Sequence, residues 1–95
     1  MNATIRRAKM VVITKRDGGF KCHYCGRKLV PGITPDGTPY PDNMATLDHI
    51  VPKSCGGTWA NDNLVLACWL CNRQRGLTDY ETFKASKRRD GGVHL

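Results

Sequence analysis

What the chain lacks narrows its class before any motif is read. None of its 95 residues falls in an apolar run approaching the ~20 residues that span a bilayer, which argues against a membrane protein. The opening MNATIRRAKM has no apolar core of the signal-peptide kind, so the expected setting is the cytoplasm. Acidic side chains are scarce: eight Asp and Glu stand against fifteen Lys and Arg, a formal net charge of +7. That imbalance suits a polyanionic partner, although a solvated basic surface would also keep a small protein soluble. No internal repeat is present, and so short a chain buries only a modest fraction of its surface. The expectation is a single domain over residues 1–95 that needs a staple.

The cysteines supply one. Four of the five form two pairs, Cys22-x-x-Cys25 and Cys68-x-x-Cys71, a spacing that suits one tetrahedral Zn2+ better than disulfides. Cys55 is left over and reads as a small residue or free thiol in a Gly-rich loop. His23 lies inside the first pair, where it reads as a loop residue close to phosphate.

Between and beyond the two pairs runs LDHIVPKSCGGTWANDNLVLACWLCNRQRG, from Leu47 to Gly76. Asp48 offers a hard carboxylate oxygen, His49 can accept a proton near neutral pH, and Asn72 offers an amide oxygen directly after the last zinc ligand. Each alone has a bland reading: Asp48 as a turn cap, His49 as a half-buried strand residue, Asn63 in a turn, Asn72 on the surface. Their joint placement between two zinc knuckles in a basic chain points to a metal-assisted hydrolase.

Residues 3–16 carry Ile5, Ala8 and Val12 at helical spacing before Asp17-Gly18-Gly19, so a helix with that apolar stripe is expected. The β-branched run Val11-Val12-Ile13-Thr14 competes with it. Four of the five prolines lie between Leu29 and Asn43, where Pro35-Asp36-Gly37 suggests a turn and Tyr40 a loop anchor. Strands are expected over Ala45–Pro52 and Asn63–Ala67, and a short helix over Cys68–Gly76 whose first turn carries the second knuckle. Strand alternation puts Asp48 and His49 on opposite faces, so one would bind metal while the other reaches water from the side. Thr78-Asp79-Tyr80-Glu81 matches a capping box, starting a basic helix over about 79–89. Arg73, Arg75, Lys87 and Arg88 are the expected contacts to a nucleic-acid backbone.

Taken together, Cys22-x-x-Cys25, Leu47-Asp48-His49-Ile50-Val51-Pro52, Gly56-Gly57, Asn63-Leu64 and Cys68-x-x-Cys71-Asn72 resemble the HNH endonucleases of the four-cysteine zinc branch. The resemblance covers a core of about 15–76. It implies a small zinc-stabilised α+β domain with a ββα-metal core and flanking helices, cleaving DNA phosphodiesters. It also implies His49 as general base, Asp48 and Asn72 as ligands of a catalytic cation, and Asn63 as the residue that braces the loop and orients His49. Asn61 lies close by, but Asn63 precedes Leu64 as in the family pattern. The family often has His where this chain has Asn72; an amide oxygen suits Mg2+ or Mn2+, with Ni2+ or Zn2+ as alternatives. Small members of the family are often phage proteins encoded beside DNA-packaging genes, which implies a bacterial or phage-infected cell and terminase proteins as partners. Oligomeric state is left open by the residues. The competing reading is a non-catalytic zinc knuckle that binds nucleic acid, with Tyr24, Trp59 or Trp69 stacking on bases, although packing suits both Trp residues better.

Overall fold

A computed structural model describes residues 2–32 and 39–89. The expected Pro35-Asp36-Gly37 turn and everything from Asp90 onward lie outside the described residues. The class is the expected one, a small α+β domain of three helices and a two-stranded sheet.

The first helix, α1, spans Ala3–Asp17. Asn2 caps it by accepting the Ile5 N–H at 2.9 Å, and Gly18 ends it in the left-handed region at φ +78°. The face it buries differs from the expected stripe. Ile5 and Val12 stay 46% and 49% exposed and Ala8 is exposed too, whereas Ile13 is fully buried and Met10 packs on the same core. The helix docks through positions 10, 13 and 16, which share a face at i, i+3 spacing. Arg16 completes that face, donating to the carbonyls of Leu64 at 3.0 Å and Asn61 at 2.8 Å. Burial of Ile13 also explains why the β-branched run stays helical: tertiary packing outweighs a weak local propensity.

Strands β1 (Ala45–His49) and β2 (Leu64–Cys68) pair antiparallel in a register that sets Ala45 opposite Cys68 and His49 opposite Leu64. Every residue of β2 is buried, so both of its faces are covered. The first strand is shorter than expected because Ile50 and Val51 bend away into the connection. The second starts one residue later, since Asn63 closes a 3-10 turn, Asn61–Asn63. Cys68 is the last strand residue rather than part of the helix, and its Sγ caps α2 (Trp69–Arg75) by accepting the Cys71 N–H at 3.3 Å.

The connection from β1 to β2 folds through a short 3-10 turn, Lys53–Cys55, and depends on two glycines for different reasons. Gly56 sits at φ +88°, which side chains rarely adopt. Gly57 has no room for one: a Cβ there would lie 1.7 Å from the Val51 carbonyl oxygen. The last helix, α3, spans Tyr80–Arg89 and is capped by Asp79 rather than by the expected Thr78. Asp79 Oδ2 accepts the Thr82 N–H at 3.2 Å, and Thr78 instead ends the preceding turn by donating to the Arg75 carbonyl. The core joins Ile13, Leu64 and Leu66 to Cys68 and Cys71. No helix among the described residues is long and apolar enough to cross a membrane.

Candidate active site

The four paired cysteines converge. Their Sγ atoms all lie within 4.8 Å of one another, all four residues are buried, and Cys25 and Cys68 sulfurs stand 3.9 Å apart. Four sulfurs around one zinc at tetrahedral angles would stand about 3.8 Å apart. Backbone bonds fix the first knuckle: Gly26 N–H reaches the Cys22 carbonyl at 2.9 Å, and His23 N–H reaches the Leu66 carbonyl of β2 at 2.8 Å. Thiol donation from Cys68 and Cys71 holds the Cys22 thiol far below its usual range, and the same contacts push Cys68 up to about 11 and Cys71 higher still. These three sulfurs thus favour one shared negative charge, and a tetrahedral thiolate shell has to release the remaining protons as zinc binds.

Asp48, His49 and Asn72 line one shallow cleft of about 320 Å3, together with Lys53, Ser54 and Arg75. A wider groove of about 940 Å3 between α1 and β1 is mostly apolar and contains none of that acid, imidazole and amide set. The chemistry therefore points to the smaller cleft.

Strand alternation places Thr46 and Asp48 on one face of β1. Asn72, on α2, meets that face: its Nδ2 donates to Thr46 Oγ1 at 3.0 Å. The hydroxyl proton of Thr46 is already committed to the Ala67 carbonyl at 2.7 Å, so Thr46 can only accept from Asn72. That relay fixes the amide's orientation and leaves Asn72 Oδ1 as its free acceptor.

Asp48 is 8% exposed and ion-paired: Arg75 Nη1 stands 2.7 Å from its Oδ2, and the Tyr24 hydroxyl donates to the same oxygen. Arg75 is buried at 3% exposure and donates further to the carbonyls of His49, Ile50 and Thr78 at 2.7, 2.9 and 2.9 Å. This corrects the expectation that Arg75 meets a phosphate backbone, because its donors are spent inside the fold. Lys87 is corrected likewise, being 9% exposed with its ammonium on Gln74 Oε1 and near the Phe83 ring. Arg73 and Arg88 do lie exposed, Arg73 stacked over the Trp69 ring at 4.6 Å. Helical spacing held a signal for Arg75, since it lies three residues after Asn72 and shares its face. Tyr24 carried none, because nothing local marks a tyrosine in a knuckle as a carboxylate's partner.

His49 is half-buried, its ring set T-shaped against Trp59 at 4.4 Å. Burial pushes the imidazole below its usual range; the Asp48 charge pulls the other way, while Lys53 and Arg75 add to the depression. The ring is therefore neutral at pH 7. Its Nε2 is buried and has no hydrogen-bond partner among the described residues. Asn63 directs its side-chain hydrogen bonds to the backbone and not to the imidazole. Its Oδ1 accepts Val51 N–H at 2.9 Å, and its Nδ2 donates to the carbonyls of Val51 at 3.1 Å and Thr58 at 2.9 Å. It acts as a brace across the loop, two residues beyond His49. Asn61 is occupied elsewhere, its Oδ1 accepting from Lys9 at 3.0 Å.

The aromatic residues considered for base stacking are engaged. Tyr24 is buried, Trp59 stands against His49 beneath the Lys53 ammonium, and Trp69 lies between Tyr40 and Arg73. His23 bonds the Tyr80 hydroxyl at 2.7 Å instead of lying free for phosphate.

A two-stranded hairpin followed by a helix, with four cysteines placed to hold one metal ion and an acid, an imidazole and an amide in one cleft, defines a ββα module with a thiolate metal shell. The family model for HNH endonuclease matches residues 22–77, more than half of the chain, and the chain belongs to that family. Comparison with curated proteins finds no match, and neither does comparison with solved structures.

Proposed function

We propose that this chain is a divalent-metal-dependent endonuclease that hydrolyses DNA phosphodiester bonds, with zinc in the four-cysteine shell and an exchangeable cation between Asp48 and Asn72. The observation that supports the reading is the hydrogen bonding of Asn72: the Thr46 relay engages its Nδ2, no described residue bonds its Oδ1, and the residue shares a cleft with Asp48. Two hard oxygens suit Mg2+ or Mn2+ held among waters. The family supplies DNA as substrate class, and the resemblance supplies a phage packaging motor as the setting.

In this mechanism His49 is the general base. With Nε2 buried, Nδ1 is the ring nitrogen left to take a proton, and the depressed basicity keeps it unprotonated at neutral pH. Water, deprotonated at Nδ1, attacks phosphorus; the bond to the 3′ oxygen breaks, leaving 3′-hydroxyl and 5′-phosphate ends. Asp48 and Asn72 would hold the cation, which would supply charge stabilisation for the pentavalent phosphate and the departing oxygen. Lys53, exposed at the cleft edge, gives the incoming phosphate a cationic contact. Asn63 keeps the loop after His49 in place, which makes it a positioning residue.

The test is a plasmid assay with the cation varied, in which nicked and linear products migrate separately, run beside a DNA-binding isotherm at one salt concentration. His49→Ala should slow cleavage roughly 10²- to 10⁴-fold, the usual worth of general-base transfer, while folding and DNA binding persist. Supercoiled DNA left intact by wild type with every cation, or a folded His49→Ala variant cutting at the wild-type rate, ends this reading.

A further inference from the structure

We propose that Tyr24 and Arg75 clamp one oxygen of Asp48 so that the other is reserved for the cation, and that α3, outside the residues that match the family, holds the clamp from behind. The inference rests on the cation site at Asp48 and adds two positioning residues and a supporting helix to it.

Both donors end on Oδ2, and no described residue bonds Oδ1. Asp48 keeps a little exposure and lines the cleft, so the unbonded oxygen is the one available there. Two donors on a single oxygen fix the carboxylate's rotation and occupy its lone pairs, which favours one-oxygen coordination through Oδ1.

Each donor is itself anchored. Arg75 makes bonds to three backbone carbonyls, two of them in the stretch that carries His49, so its guanidinium stays in place whatever occupies the cleft. Tyr24 sits between Cys22 and Cys25, so the zinc knuckle sets its backbone. Its ring is packed edge-to-face on Phe83 at 4.9 Å and near Tyr80 at 6.1 Å, both on α3. A path of contacts thus runs from the zinc shell and the last helix, through one phenol, to the carboxylate.

The test is Mn2+ binding to the zinc-loaded full chain, measured by titration calorimetry or by the loss of the free-ion paramagnetic resonance signal, with zinc content and melting temperature read in parallel. Tyr24→Phe keeps the ring and removes only the hydroxyl, which donates to Asp48 and accepts from Arg75 Nη1 at 3.3 Å. It should weaken Mn2+ binding about 10-fold or more, the usual effect of losing a group that orients a ligand, while zinc content stays at the wild-type level. Phe83→Leu should shift Mn2+ affinity the same way by less, and it reads the clamp should Tyr24→Phe fold poorly. Wild-type Mn2+ affinity in folded Tyr24→Phe, or in Phe83→Leu where Tyr24→Phe does not fold, overturns the clamp. Asp48→Asn separates the two levels: if it abolishes Mn2+ binding while Tyr24→Phe does not change it, the clamp alone falls. If Asp48→Asn binds Mn2+ as wild type does, the cation site falls and the clamp with it.

Discussion

Two sites share one hairpin and are built on opposite plans. At one end, Cys68 opposite Ala45 belongs to a closed set of four buried sulfurs that merges with the core. Towards the other end, Asp48, His49 and Asn72 face an open cleft, and their backing is polar: Tyr24, Arg75, Thr46 and the Asn63 brace. The difference teaches which property each site needs. A closed thiolate shell binds tightly and contributes folding free energy, whereas the two oxygens of the proposed cation site would hold an ion loosely enough for it to meet a phosphate and leave. The open site is not the soft one, however. Asp48 and Asn72 are fixed through Arg75 and Thr46, whose hydrogen bonds end on backbone carbonyls, so their placement comes from the same rigid frame that the sulfurs staple.

The largest expected effect strikes the closed site. Cys68→Ser removes one ligand from a buried set and leaves the other thiols without their cation. Zinc affinities in small metal-folded domains are worth about 10–16 kcal/mol, comparable to or larger than the whole stability of a chain this size. Melting temperature, bound zinc and DNA binding should therefore collapse together. A Cys68→Ser protein that melts cooperatively at the wild-type temperature with no zinc bound would dissolve the contrast between the two sites.

The open site should behave in the reverse way. Brief chelation should stop cleavage with the melting temperature unchanged, and added Mg2+ or Mn2+ should restore it. Within that site Asn72→Ala should cut cleavage and Mn2+ affinity by about 10- to 100-fold. Asn72→His should retain activity and move metal preference towards Ni2+ or Zn2+, because imidazole is the softer donor. If the Ala and His variants fall equally while both stay folded, Asn72 is not a ligand. Thr46→Val sharpens the point: without the relay the amide can turn over, so affinity should drop although Thr46 touches no cation.

Between the sites lies the loop, and Gly57→Ala should damage it selectively. A Cβ there runs into the Val51 carbonyl, the group that Asn63 holds, so the loop must move to admit it. Cleavage should fall at least 10-fold while zinc content is unaffected, the strain being local to the stretch after His49. Unchanged cleavage by Gly57→Ala would mean that the loop's path is immaterial to His49.

How much of this was legible beforehand follows from what sequence spacing encodes. The cysteine cluster, and the gathering of Asp48, His49 and Asn72 in one cleft, could be read because both depend on residue type at short separations, and helix and strand limits came within a few residues because Gly18 and the Asp79 turn punctuate them. The packing face of α1 could not be read: Ile5 and Val12 look as apolar as Ile13, and only contact with β2 decides which side is buried. Charge was the weakest guide. Arg73 and Arg75 are alike in the sequence, yet a three-residue periodicity carries Arg75 beneath Asn72 and onto Asp48 while Arg73 faces solvent. Composition counts cations without saying which are spent internally.

That pair supplies the mildest test of the comparison. Arg73 is exposed and rests on Trp69, so Arg73→Ala removes a surface cation without emptying a buried pair. Melting temperature, zinc content and Mn2+ affinity should all stay near wild type. DNA affinity should weaken modestly and to a similar degree for unrelated sequences, since a phosphate contact carries no base information. The slope of log affinity against log salt should become shallower by about one unit, the signature of one lost phosphate neutralisation. Arg75→Ala should differ in kind: it strands the Asp48 carboxylate and three carbonyls, and removing one partner of a buried pair costs about 3–5 kcal/mol, so the fold should suffer before any salt slope can be read. An unchanged slope in Arg73→Ala would remove that residue from the DNA contact surface and leave Lys53 and Arg88 to carry it. A well-folded Arg75→Ala protein whose only defect is a shallower salt slope would restore Arg75 to the surface and undo the inward half of the comparison.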